Sequence, residues 1–259
     1  MRYVYPKLGR TGLGNMLFPW ARAVVCCKRT HARMIAPQWV HLCRIGTWMR
    51  KERDKRFYLN QFSESNYVSG VERWALLCLC RNRVQFFSGM KGFFDSFITE
   101  RNVVYNELMR IVNPTIRNEV EKIAKECPYI AVHVRRGDFK VAGILTDDAW
   151  YLRAIRTAVS DDVAQGVSTI RVFSDARPDE LKFIAEAFPE KEVVFMPSAP
   201  AIKDILLLSK SKILVCTPRS TFSMWSVFLG QQPSIWQDGP VELLPPRLYT
   251  GENKVVLVK

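Results

Sequence analysis

Residues 129–139 read YIAVHVRRGDF. The stretch opens as a β-branched apolar run over 130–134, the pattern of a buried strand. It closes with His133, Arg135, Arg136 and Asp138 inside six residues. Downstream the chain alternates. TDDAWYLRAIRTAVSD reads as a helix capped by Thr146, with Asp147 and Asp148 in its first turn and Tyr151, Ile155 and Ala158 on one face. TIRVFS (169–174) is a strand, and PDELKFIAEAF (178–188) a helix with Pro178 near its first position. EVVFM (192–196) is a strand, AIKDILLLSKS (201–211) a helix and ILVCT (213–217) a strand. STFSMWSVFLG (220–230) is a helix capped by Ser220 and stopped by Gly230. PSIWQ (233–237) is a fifth strand. Strands that alternate with helices predict an α/β fold whose parallel sheet is covered on both faces.

The half before this alternation is less regular. A short apolar stretch spans Tyr3 to Tyr5, a glycine-rich turn follows, and a helix is expected from about Asn15 to Lys28. Residues 106–128 read as helical on both sides of Pro114, a segment suited to bridging two lobes.

With 259 residues and 48% hydrophobic content, the chain can bury a substantial core. Its net charge is +13, with much of the excess in the N-terminal half, notably Arg50, Lys51, Arg53, Lys55 and Arg56. Such a surface suits nucleic acid, an anionic membrane or phosphorylated small molecules, and it also fits a plain solvated exterior. No zinc-finger spacing or aromatic RNA-binding signature supports nucleic acid. The seven cysteines are odd in number and form no C-x-x-C pair, and the three histidines lack zinc-ligand spacing. Several of these cysteines sit in apolar runs, which reads as buried, reduced thiols in a reducing compartment. The N-terminus lacks the apolar core of a signal peptide, and no apolar run reaches membrane-spanning length. The expectation is a cytoplasmic protein whose basic surface can rest peripherally on the inner face of an anionic membrane.

Doubly wound sheets bind ligands beyond the carboxyl ends of their strands. His133 and Arg135 are two apart and share a face while the strand lasts, and Arg136, Gly137 and Asp138 are expected to form the loop after it. A guanidinium there matches phosphate oxygens with two parallel hydrogen bonds. The same residues also fit a structural Arg–Asp pair. Ser174 and Asp175 end a second strand, placed to accept hydrogen bonds from a base or sugar. Thr217 ends another, and Ser220 and Thr221 open the next helix, whose free N–H groups attract anions or simply receive a cap. One ligand explains three polar strand ends better than three unrelated caps do. GRTGLGN (9–15) fits neither G-x-G-x-x-G nor a P-loop. It reads either as a tight turn with Asn15 as N-cap or as a close backbone approach to a ligand.

Taken together, HVRRGD, the later SD, STFSMW and GLGNMLF (12–18) resemble the α-1,2-fucosyltransferases and the wider fucosyltransferase superfamily. DAWYLRAI (148–155) and DILLLS (204–209) match further blocks of that pattern in the same order. The chain departs from it at Met16, Ala176, Pro218–Arg219 and Met224. The resemblance implies a GT-B-like architecture, two Rossmann-like lobes with the active site in the cleft between them. Residues 1–125 would form the acceptor-side lobe and 126–259 the nucleotide-sugar-binding lobe. It implies inverting transfer of L-fucose from GDP-β-L-fucose, in α-1,2 linkage, to an oligosaccharide or lipid-linked glycan acceptor. It implies no metal, no other cofactor and no nucleic-acid partner. A transferase of the same fold using another nucleotide sugar is the alternative. On this resemblance Arg135 engages the diphosphate as a catalytic group. Asp138 stands beside it, either as catalytic carboxylate or as the group that orients Arg135. His133 and Asp175 approach the nucleoside, and Arg136, Ser220 and Thr221 bind the donor. Gly12, Gly14 and Asn15 face that donor from the other lobe.

Overall fold

The computed structural model describes residues 3–39, 58, 60–63, 66–252 and 254–259; the basic run 50–56, His41 and Cys43 lie outside the described residues. The described residues separate into two compact units, divided between residues 117 and 118.

In the first unit, strand β1 (Tyr3–Lys7) is the centre of a three-stranded parallel sheet, flanked by β2 (Arg33–Met34) and β3 (Val84–Ser88). Helix α1 (Leu13–Thr30) follows the glycine-rich turn. It begins earlier than the sequence suggested. Gly12, extended at φ −64° and ψ 162°, is the N-cap, and Asn15 lies inside the first turn with its N–H on the Gly12 carbonyl at 3.1 Å. The apolar Leu13, Met16, Leu17 and Trp20 are all buried, so packing draws the first turn into the helix. Phe18 packs edge-on against Phe93 and Phe94, with ring centroids 5.5 and 4.9 Å away. Helices α2 (Gly70–Cys78) and α3 (Arg101–Ile111) also belong to the unit. Val112 is extended at ψ 135°, and α4 (Pro114–Glu126) restarts with proline at its first position. Residues 106–128 are therefore two helices around Pro114, as expected from proline's fixed φ and missing N–H.

The second unit holds β4 (Tyr129–Val134), β5 (Thr169–Ser174), β6 (Glu192–Phe195), β7 (Ile213–Val215), β8 (Ser234–Gln237) and β9 (Val255–Val258). They form one sheet in the order β6-β5-β4-β7-β8-β9, with every pair parallel. The sheet has a sixth strand, β9, where five were expected. The helices are α5 (Gly137–Ala142), α6 (Asp148–Ser160), α7 (Lys182–Ala187), α8 (Ala201–Leu208) and α9 (Thr221–Gly230).

Three local expectations are corrected. Gly137 and Asp138 do not form a loop; they open the short helix α5, which Gly143 ends at φ 67°. Thr146 does not cap α6. Asp147 holds that position, and Thr146 is buried with its carbonyl turned to Arg136. Gly230 does not terminate α9 either. Gln231 takes the left-handed conformation at φ 58° and donates its N–H to the Val227 carbonyl.

All six residues of β4 are buried, as a central parallel strand requires. Its alternate residues serve two faces. Ile130, Val132 and Val134 pack in one cluster with Trp150, Tyr151, Ala154, Ile155 and Ala158 of α6. Tyr129 and His133 point the other way. The Tyr129 hydroxyl donates to the Leu207 carbonyl of α8 at 2.5 Å, and His133 meets Ser223 of α9. Strand order reverses at β4, with β5 and β6 on one side and β7 to β9 on the other. The crevice between the carboxyl ends of β4 and β7 is therefore the topological switch point, where such sheets bind ligands.

Candidate functional site

The switch point is built from the ends of three strands. Thr217, just after β7, ties two of them together. Its hydroxyl donates to the His133 carbonyl at 2.6 Å and accepts the Arg135 backbone N–H at 3.1 Å. The Tyr151 hydroxyl lies 2.9 Å away. Thr217 has one proton and has spent it on His133, so Tyr151 must be the donor in that bond. Burial raises the Tyr151 pKa, which keeps this phenol protonated for the role.

Arg135 leaves β4 with its guanidinium held by Asp175, which follows β5, at 3.1 Å. The other bonds of Asp175 are to the chain. One carboxylate oxygen accepts the Arg136 N–H at 2.8 Å and the second accepts the Gly137 N–H at 3.1 Å. This carboxylate thus shapes the backbone after β4 and aims Arg135 at once. Gly137 makes the arrangement fit, because a Cβ there would lie 2.6 Å from the carboxylate oxygen. The strand-end position suggested that Asp175 would meet a base or sugar; the structure spends both its oxygens on the β4 end.

Arg136, beyond the end of β4 and at the N-cap of α5, turns toward α6. It bonds the Thr146 carbonyl at 3.3 Å, pairs with Asp148 and stands 5.9 Å over the Tyr151 ring. The Asp138 side chain lies outside the described residues.

His133 is only 4% exposed. Its Nδ1 is 2.7 Å from the Ser223 hydroxyl, and its ring stacks on Phe222 with centroids 5.1 Å apart. Burial, followed by the nearby Arg135 charge, lowers its pKa from 6.5 to about 3. The imidazole is neutral at physiological pH and fastens β4 to α9. Ser220 is the α9 N-cap, and its hydroxyl accepts from the Ser223 N–H at 3.5 Å, with Thr221 as the first helical residue. Before them, the Ser220 N–H bonds the Thr217 carbonyl at 3.3 Å across Pro218 and Arg219. Arg219 has φ 60°, a value that glycine or asparagine usually supplies at the third position of a type II turn. Its side chain is exposed. In the first unit, Gly12, Gly14 and Asn15 lie at the start of α1, beyond the carboxyl end of β1.

Arg135 and Asp175 pair at the carboxyl ends of β4 and β5, and Thr217 joins the β4 end to the turn that leads into Ser220 and Thr221. The model of glycosyl transferase family 11 matches residues 32–237 of this chain. The chain belongs to glycosyl transferase family 11.

Among solved structures, this family member resembles fucosyltransferase NodZ from Bradyrhizobium, with 17% identity and a TM-score of 0.57 over 88% of this chain and 92% of that one. It also resembles POFUT1 in complex with GDP, with 14% identity and a TM-score of 0.58 over 90% of this chain and 96% of that one. At such identities the likeness shows the fold, an α/β fold with parallel sheets. No curated protein matches the sequence. Among the described residues, no group of three or more His, Cys, Asp or Glu could hold a metal ion. The six described cysteines are free thiols.

Sequence reasoning missed three members of the candidate site: Thr217 as a hub, Tyr151 as its donor and Ser223 as the partner of His133. A threonine ending a strand and a serine inside an apolar helix look ordinary in sequence. Only the fold supplies their partners, 66 to 90 residues away.

His133 leads to a pH prediction. Below pH 6.5 the unfolded chain takes up a proton that the folded imidazole refuses until about pH 3. Stability therefore falls with falling pH, by about 1.4 kcal/mol per unit in that window. Between pH 7 and 5 the wild type should lose about 2 kcal/mol more than His133→Gln in urea unfolding. Parallel losses in the two proteins would show that the ring is not held neutral.

Proposed function

We propose that this chain is an inverting fucosyltransferase that moves L-fucose from GDP-β-L-fucose to a sugar acceptor of a surface glycan. The observation that carries the reading is the convergence of Arg135 and the Ser220-capped start of α9 at the switch point of the second unit. The donor is supported by the family and by solved relatives of this fold, which include NodZ soaked with GDP-fucose and POFUT1 in complex with GDP-fucose. The α-1,2 linkage rests on the motif resemblance alone, since NodZ is an α-1,6-fucosyltransferase.

Breaking the glycosidic bond leaves negative charge on the β-phosphate. A guanidinium and helix N–H groups already in place stabilise that charge without reorganising. Asp175 fixes Arg135, and the bonds of Thr217 and His133 keep β4 and α9 together, so these three act by positioning. Ser220 and Thr221 hold phosphate oxygens. The Ser220 oxygen accepts the Ser223 N–H, and a hydroxyl that accepts in this way can still donate its own proton to a phosphate oxygen. Arg219 adds a second cation beside them, and Arg136 supports the β4 end from the α6 side. Asp138 keeps the place that the motif resemblance gives it, as the carboxylate beside Arg135. The reading includes the GT-B design, with the first unit as the acceptor-side lobe and Gly12, Gly14 and Asn15 turned to the donor.

Charge on the diphosphate is met by the chain's own cations, so no metal is required. Calorimetry in EDTA should show micromolar-to-millimolar binding of GDP and much weaker binding of UDP and ADP. Equal affinity for the three would remove GDP-fucose as donor. Transfer abolished by EDTA and restored by Mn²⁺ would remove the metal-free mechanism.

A further inference from the structure

Helix α2 carries an apolar stripe that faces away from its unit. Val71, Trp74, Ala75, Cys78 and the following Leu79 are spaced i, i+3, i+4, i+7 and i+8, the arrangement that normally faces a core. Here Val71 is 84% exposed, Trp74 61% and Leu79 74%, and Cys78 is exposed as well. The opposite side does the anchoring. Leu76 is buried, Arg73 donates to the Ala36 carbonyl at 2.8 Å, and Glu72 pairs with Arg33 at 2.9 Å. Among the described residues, no packing role within the unit accounts for the outward side chains. Contiguous apolar surface of this kind marks an interaction site.

The surroundings of the stripe select its partner. Arg81 and Arg83, both exposed, follow directly at its carboxyl end. The Arg81 guanidinium stands 5.0 Å over the ring of Phe86, itself 37% exposed. The acidic Glu72 is occupied by Arg33. Tryptophan and aliphatic side chains flanked by arginines match the boundary between lipid headgroups and acyl chains. A second copy fits less well. Two +13 chains joined at this face would bring their arginines together, whereas an anionic bilayer neutralises them.

We propose that the outward stripe of α2, with Arg81 and Arg83 beside it, docks this protein on an anionic lipid bilayer. The side chains of Val71, Trp74 and Leu79 enter the interface and the two arginines bind headgroup phosphates. Docking stands independently of the donor reading, and it brings the enzyme to the surface where lipid-linked acceptors reside.

The test is co-sedimentation of the full chain with phosphatidylcholine vesicles, with and without 30% phosphatidylglycerol, a composition chosen as about that of an anionic membrane. Binding is expected to the anionic vesicles only and to weaken with added salt. Trp74→Glu/Leu79→Glu should reduce it at least tenfold, about the effect of withdrawing two interfacial side chains. Arg81→Glu/Arg83→Glu should do the same and flatten the salt dependence. These side chains are exposed, so folding should survive, and circular dichroism checks that it does. Vesicle binding unaffected by Trp74→Glu/Leu79→Glu would overturn the proposal, since the basic surface alone would then be responsible. Absence of vesicle binding would also overturn it. So would a dimer in sedimentation equilibrium that the same double variant dissolves, which would assign the stripe to a second copy.

Discussion

Arg135→Lys is expected to lower kcat with GDP-fucose by about 100-fold or more while the protein stays folded, the scale of losing one transition-state donor. The variant keeps the positive charge. It loses the planar fork, which lets arginine hold Asp175 through one nitrogen at 3.1 Å and present a parallel donor to a phosphate oxygen. An ammonium group on a flexible stem must choose between these partners. The loss should grow along the reaction coordinate, because the β-phosphate gains charge as the sugar departs. KM should therefore change much less than kcat. Arg136→Lys is the internal control. That guanidinium lies against Tyr151 and Asp148 on the other face, so its replacement should move Tm more than kcat. A folded Arg135→Lys enzyme with near wild-type turnover would detach the β4 end from the donor diphosphate.

The opposite facing of Val132 and His133 is legible in the amino-acid sequence, because a strand's period of two is a property of the backbone. The same holds for β4 as a buried centre. A parallel strand covered on both faces reads as an unbroken β-branched run, and IAVHV is one. The parts that are not legible depend on contacts between distant residues. Asp175 looks like a free acceptor at a strand end, yet its partners lie 38 to 40 residues earlier in the chain. Gly137 looks like a loop glycine; what requires it is the carboxylate packed against its Cα. Helix α5, six residues long, is too short to show a helical period, and β9 has only four residues. The outward stripe of α2 has the right period and the opposite orientation. Periodicity identifies a helix with an apolar face and is silent on what that face meets.

Gly230→Ala should give the largest loss of stability, roughly 3 kcal/mol or more, as expected for overpacking against a rigid neighbour. A Cβ at this last residue of α9 would stand 2.1 Å from the Ser209 carbonyl oxygen and 2.0 Å from Oε1 of Gln232. The Gln232 side chain can move aside. The Ser209 carbonyl cannot, because Ser209 is the C-cap of α8, with its N–H on Ile205 and its hydroxyl on the Leu206 carbonyl. Helix α9 would have to shift instead. Its far end, about 15 Å away at 1.5 Å per residue, carries Ser220 and the Ser223 that holds His133, so GDP affinity should fall together with Tm. Thermal unfolding is expected to drop by roughly 10 °C. Adding Gln232→Ala should restore little of it, since the backbone contact remains. The sign of the effect separates two roles for this glycine. As a mere helix terminator it could be replaced by alanine, which favours a helix by about 1 kcal/mol, and stability would rise, because Gln231 already supplies the left-handed turn. A higher Tm for Gly230→Ala would therefore mean that the close approach of α9 to α8 does not set the position of Ser220.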